Sequence, residues 1–426
     1  MLDTKLKSTY EAILMAELQP AMGCTEPIAI AYAASILKDV IGDFPDKIEA
    51  RFSGNIIKNV KSVIVPATGG RHGIEVAIAA GLISGRCDLR LQVLSVLGPY
   101  DENKIDSLLK ECPITVEKIS SGCSFELELI GYWGNEIAKV AISGAHTNVT
   151  SVMLDDCHLT HKYSDKIGAG EDGEGADYYM LNVQDIIKFA DEVDLDLLTP
   201  YLKRQIELNL EIAEEGLRGE WGANIGRVIL DMGDDVSRKA RAYAAAGSDA
   251  RMSGCEKPVC IISGSGNQGI TASMPVAIYA WEMGASEEEL LRALIVSDLI
   301  TIHQKTGIGT LSAYCGAISA GVGAGAGICY LHGGKFREIA HTIVNAVAIL
   351  SGTICDGAKP SCAAKIAMSV EAGIMGFEMW RTGKQFHGGD GIVTKGVENT
   401  IKNIGRLAKE GMSDTDREII DIMLGI

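Results

Sequence analysis

Phe125-Glu-Leu-Glu-Leu-Ile130 and Ala138-Lys-Val-Ala-Ile142 place apolar residues at every second position, the period of a strand with one buried face. The same pattern recurs in Lys47-Ile-Glu-Ala-Arg-Phe52, Leu89-Arg-Leu-Gln-Val-Leu-Ser-Val96 and Ile114-Thr-Val-Glu-Lys-Ile119. These runs predict a sheet. Gly73-Ile-Glu-Val-Ala-Ile-Ala-Ala-Gly-Leu82 interrupts them with helical spacing, so the stretch is α+β rather than all-β. On either side the period changes. Residues 4–19 read as a helix with apolar Ile13, Leu14 and Leu18, broken by Pro20, and residues 27–40 resume helical spacing behind Pro27. After residue 183 nearly everything is helical, punctuated by Gly, Pro and Ser at 196–200, 247–258, 263–269, 284–286 and 356–361. The expected fold is therefore α+β: a predominantly helical body built from both chain ends, carrying an inserted smaller α+β domain. The expected divisions are 1–40, packing on the body, 45–180 for the α+β domain, and 183–426 for the helical domain. Within the second, residues 164–178, rich in Gly, Asp and Glu, read as a mobile surface loop.

Composition bounds the partners. Acidic residues exceed basic ones by 56 to 39, giving a net charge of −17, which repels nucleic-acid backbones and anionic lipid surfaces. The opening Met-Leu-Asp-Thr-Lys-Leu-Lys lacks the apolar core of a signal peptide. A cytoplasmic setting is expected, with the eleven cysteines as reduced thiols. Residues 259–281 and 306–334 contain no Asp, Glu, Lys or Arg, but the second holds nine glycines and the first contains Ser-Gly-Ser-Gly-Asn-Gln. They read as buried helices and turns rather than membrane spans, with small residues letting backbones approach closely. A large apolar helical half is compatible with a homodimer.

Cys315, Cys355 and Cys362 sit in charge-poor, small-residue stretches, and Cys24 stands far upstream in a helix break. Three thiolates can hold a cubane iron–sulfur cluster by three irons and leave the fourth open to a substrate. No C-x-x-C spacing occurs, so closure requires tertiary folding, and free cysteines also serve as small buried hydrophobes. A thiol at a helix N-terminus ionises more readily, which makes Cys24 a candidate for reactivity as well as for filling a turn. Ser263-Gly-Ser-Gly-Asn-Gln-Gly269 follows an apolar run and precedes a helix, so its amides can form a nest for a carboxylate or simply a tight turn. It lacks the frame of a dinucleotide fingerprint, and no NAD is expected.

Six blocks carry a family resemblance: Gln19-Pro-Ala-Met-Gly-Cys-Thr-Glu-Pro27, Ser53-Gly-Asn-Ile-Ile-Lys-Asn59, Pro66-Ala-Thr-Gly-Gly-Arg-His-Gly73, Ser263-Gly-Ser-Gly-Asn-Gln-Gly269, His303-Gln-Lys-Thr-Gly307 and Cys355-Asp-Gly-Ala-Lys-Pro-Ser-Cys362. Over its whole length the chain resembles the L-cysteine desulfidase family, related to the iron–sulfur L-serine dehydratases. The resemblance implies a [4Fe-4S] cluster on Cys315, Cys355 and Cys362 and an active-site role for Cys24. It implies a lyase that converts L-cysteine or L-serine to pyruvate and ammonia through an aminoacrylate, without pyridoxal phosphate (PLP). Cys24 is the expected base for the α-proton, with His72 and His303 as competitors. Asn55, Lys58, Arg71 and Lys305, with Ser263, Ser265 and Asn267 of the glycine-rich loop, are the candidates to hold the zwitterionic substrate. Two other readings stand beside this one: a zinc hydrolase with cysteine and histidine ligands, and a non-catalytic amino-acid-binding protein of the same fold.

Overall fold

The computed structural model describes residues 2–119, 123–163 and 176–425. The chain opens with helix α1 (Thr4–Glu17), strand β1 (Pro20–Met22), α2 (Thr25–Ile41), β2 (Lys47–Ser53), α3 (Gly54–Val60) and α4 (Ile74–Ser84). After α5 (Asp101–Glu111) come β3 (Ile114–Ile119), β4 (Glu126–Trp133), β5 (Glu136–Ser143), β6 (Val149–Leu154) and β7 (Cys157–His158). Helices then dominate, from α6 (Val183–Glu192) through α7 (Thr199–Arg218), α8 (Ile225–Asp231) and α9 (Val236–Met252) to a short strand, β8 (Pro258–Cys260). They continue as α10 (Gly266–Met283), α11 (Glu287–Ile308), α12 (Gly316–Leu331), α13 (Phe336–Ile349), α14 (Cys362–Arg381), α15 (Val397–Arg406) and α16 (Ser413–Leu424). The fold is α+β.

The six strands β2–β7 form one sheet in the order β3-β2-β4-β5-β6-β7, parallel only between β2 and β3. Leu129 faces Val140 and Val140 faces Val152 across the ladder, and the alternating residues Leu127, Leu129, Ala138, Val140 and Ile142 are buried. Helix α2 closes that face. A side chain at Gly131 would strike Leu37 of α2, and α4 lies so close to α2 that a Cβ at Gly81 would sit 2.1 Å from the Ala31 carbonyl oxygen. The first 40 residues thus divide between two layers: α2 lies over the sheet, whereas β1 pairs antiparallel with β8 of the helical part.

Leu89–Val96 is not a strand. It forms 3₁₀ turns with Arg90 at φ +49°. The reason is burial on both parities, since Leu91, Val93 and Leu94 are all inside, and a strand would send Val93 and Leu94 to opposite faces. The expected mobile loop falls largely on residues 164–175, outside the described residues.

The helical part packs through backbone contact. In α12, Gly321 and Gly325 face α14, where added Cβ atoms would meet Ser369 O at 2.3 Å and Gly373 O at 2.5 Å. Gly323 and Gly327 face α11, opposite Ser297 O and Ala293 O. A buried polar seam joins α7, α10 and α11. Asn209 donates to Ser273 and accepts from the Cys260 amide, and Gln205 donates to Asp298 Oδ1 at 3.0 Å. Among the described residues no helix is long and apolar enough to cross a membrane.

Candidate active site

Four helix N-termini meet around one cavity of about 110 Å³. Cys24 caps α2, Ser265 caps α10 and Cys315 caps α12, while Cys362 is the first residue of α14. All four residues, with Cys355, line the cavity. The unbonded amides and positive dipole ends of such termini favour anions, so thiolates and carboxylates are the natural occupants.

Local backbone pairing brings distant cysteines together. The Cys315 amide donates to Thr353 O and the Cys355 amide to Ala313 O, at 2.9 and 2.6 Å, around an antiparallel bridge between Tyr314 and Ile354. The loop from Cys355 to Cys362 is pinned by Asp356, which pairs with both Lys359 and Lys365. Burial opposes ionisation of Asp356, but the two ammonium groups hold its carboxyl down at about 2. Burial first, and the charge of Cys355 next, push the Cys315 thiol up to about 12, and burial raises Cys362 as well. Three half-buried thiols, two of them held against ionisation by burial and neighbouring thiols, are a donor set suited to a metal centre, whose positive charge reverses that penalty. Among the described residues no three His, Cys, Asp or Glu side chains gather tightly enough for a single ion. A cubane differs in this respect, because each thiolate binds its own iron.

Cys24 is held differently from its sequence expectation. Its thiol donates to Glu26 Oε2 at 3.0 Å. Burial, with the adjacent Glu26 charge, raises its pKa well above the ordinary thiol range, outweighing the dipole of α2. Burial also opposes the charge on Glu26, yet the nearby His146 and the Cys24 thiol hold that carboxyl at about 2. His146 Nε2 lies 3.8 Å from Glu26 Oε1, beyond hydrogen-bond reach, and is buried without a partner. Gly23, at φ +64°, lets Pro66 pass where a Cβ would lie 2.1 Å from its ring, which joins two of the sequence blocks next to Cys24.

Of the predicted substrate binders, Lys58, Ser263, Ser265, Asn267 and Lys305 line the cavity. Lys58 is committed to Asp416 of α16, Nζ to Oδ1 at 2.6 Å. Lys305 is buried and donates to Gly309 O; burial lowers its pKa to about 8. The expected amide nest is partly spent, since Ser263 N donates to Glu17 and Ser265 N to Ile262 O. Four predicted residues lie outside the cavity lining. Asn55 donates to Asp416. Arg71 forks onto Asp106 and also reaches Glu102, tying the 66–73 loop to α5. His72 is exposed, and His303 pairs with Glu398 at 2.7 Å, linking α11 to α15. Sequence reading missed Glu26, Asn59, His146, Arg251 and Gln268, all on the cavity wall. Glu26 stood inside a quoted block; Arg251 and His146 carried no spacing signal.

The family model for the serine dehydratase alpha chain matches residues 89–421. A UPF0597 protein of Desulfitobacterium hafniense is 53% identical over 421 residues, covering 98% of this chain and 96% of its own. Another from Finegoldia magna is 45% identical over 418 residues, covering 97% and 99%. The chain belongs to the serine dehydratase alpha chain family, a lyase-type relationship, and its full-length relatives carry the name UPF0597.

Proposed function

We propose that this chain is a lyase acting on L-serine or L-cysteine, releasing water or sulfide and yielding pyruvate and ammonia. Cys315, Cys355 and Cys362 would hold a [4Fe-4S] cluster. The observation that carries the reading is the meeting of these three thiols and Cys24 in one cavity, from positions up to hundreds of residues apart. Family membership supports it. When bound, such a cluster supplies a Lewis acid that eases departure of the β-substituent.

The chain's own groups divide the proton work in a way that differs from the sequence expectation. Lys305 Nζ, whose pKa burial lowers to about 8, takes the α-proton as its neutral amine. The Cα–H electron pair forms the C=C bond as the bond to the β-oxygen or β-sulfur breaks. Cys24, protonated and held on Glu26, gives its proton to the departing hydroxide or hydrosulfide. The Lys305 ammonium then returns a proton to the Cys24 thiolate. The aminoacrylate tautomerises to an imine, and water releases pyruvate and ammonium. His72 and His303 leave this role because neither lines the cavity.

Anaerobic reconstitution with iron and sulfide, followed by pyruvate assay from L-cysteine and L-serine side by side, tests the reading. A brown protein that forms pyruvate from at least one substrate is the expected result. A fully loaded protein that turns over neither would overturn it. The gathering of three thiols and Cys24 in one cavity, with no single-ion ligand set among the described residues, favours this reading over a zinc hydrolase.

A further inference from the structure

We propose that Arg251 is the receptor for the substrate's α-carboxylate, making the cavity a site for small α-amino acids with a free carboxyl group. This deepens the functional reading above and rests on it. Arg251 lies in the last turn of α9 and is 2% exposed. Its Nε and Nη2 are buried without a hydrogen-bond partner, and no carboxylate among the described residues forms a salt bridge with it. Folded proteins pair their buried charges, so an unpaired guanidinium on a cavity wall points to an anionic ligand. A guanidinium fork matches a carboxylate with two parallel hydrogen bonds.

The seat is shaped for that fork. A Cβ at Gly266, the first residue of α10, would lie 2.5 Å from Arg251 Nε and 2.9 Å from Cζ, so the guanidinium rests against bare backbone at a helix N-terminus. That terminus adds its own preference for negative charge. In the lining of the same cavity, Asn59 Oδ1, Asn267 Oδ1 and Gln268 Oε1 are buried acceptors without partners. The orientation of Asn59 is fixed, because its Nδ2 donates to Glu26 Oε1 at 3.0 Å. Orphan donors and orphan acceptors in one cavity complement a zwitterion, with the carboxylate at Arg251 and the ammonium at the amide oxygens.

The test is binding of L-serine and L-serinamide to the cluster-free and the reconstituted full chain, read by calorimetry and by ligand-dependent melting. Wild type should bind L-serine at least tenfold more tightly than the amide. R251M should lose that discrimination and bind L-serine at least tenfold more weakly, with an unliganded melting temperature close to wild type. R251K keeps the buried charge without the fork; it should show the same loss and carries the test where R251M does not fold. Retained discrimination in either folded variant overturns the assignment of Arg251 and leaves the lyase reading standing. Absence of L-serine and L-cysteine binding to wild type in both forms overturns the lyase reading, and the assignment with it.

Discussion

Asp298→Asn should stabilise the protein increasingly as pH rises. Asp298 is fully buried in α11, its Oδ1 accepting from Gln205 and its Oδ2 without a partner. Burial raises its pKa from 3.8 to about 8. Between these values the folded chain keeps a proton that the unfolded chain has released, so stability contributed by this group is full below pH 4 and falls as pH rises towards 8. Each pH unit in that window corresponds to about 1.4 kcal/mol. From pH 5 to pH 7, wild type should therefore give up as much as about 3 kcal/mol relative to the variant, whose amide does not titrate. The amide oxygen keeps the Gln205 hydrogen bond, and its nitrogen stands where the protonated oxygen stood. Denaturation midpoints followed by tryptophan fluorescence at pH 5, 6 and 7 give the comparison, and groups common to both proteins cancel in the difference. A difference that stays flat across this range, or that favours wild type at pH 7, would refute the buried-acid argument.

Ala substitution at Cys315, Cys355 or Cys362 should abolish iron and acid-labile sulfide after anaerobic reconstitution, whereas Cys24→Ala should keep both and lose about 10² or more in turnover; iron assay with pyruvate kinetics distinguishes the two classes, and iron loss in Cys24→Ala would make that residue a ligand. Turnover of wild type should rise with pH through about 8 as the Lys305 ammonium gives up its proton, and Lys305→Met should remove that limb and at least about 10² in rate. An unchanged pH profile in the variant would exclude Lys305 as the base. Gly373→Ala should cost about 1–3 kcal/mol by overpacking, because its Cβ would fall 2.1 Å from Gly321 O, and should lower iron retention although Gly373 does not line the cavity.

Much of the sheet was legible because one-sided burial writes its period directly into the residues, as at Glu126–Trp133 and Glu136–Ser143. Leu89–Val96 misled because it is buried on several sides: alternation in the sequence coincided with a turn set by the positive φ of Arg90. Cys315, Cys355 and Cys362 could be grouped by residue type and small-residue surroundings, and they share one cavity. Their closure was not legible, because it depends on the bridge between Tyr314 and Ile354, forty residues apart. Asn55 and Arg71 misled for the converse reason: polar residues in glycine-rich blocks resemble substrate ligands, yet Asp416 and Asp106 engage them. Arg251 was invisible. An arginine near the end of a helix normally points to solvent, and only tertiary packing buries this one.

The contact between α12 and α14 sets more than packing. Gly321 and Gly373 touch main chain to main chain, so the two helices behave as rods pinned at a crossing, with Cys315 and Cys362 at their near ends. The pin lies about 9 Å along α12 from Cys315 and about 16 Å along α14 from Cys362, at 1.5 Å per residue. With main chain against main chain at Gly321 and Gly373, a change in the crossing angle there moves both thiol-bearing ends, as turning about a pivot would. The separation of these two thiols is therefore tied to a contact between peptide groups rather than to the packing of long side chains.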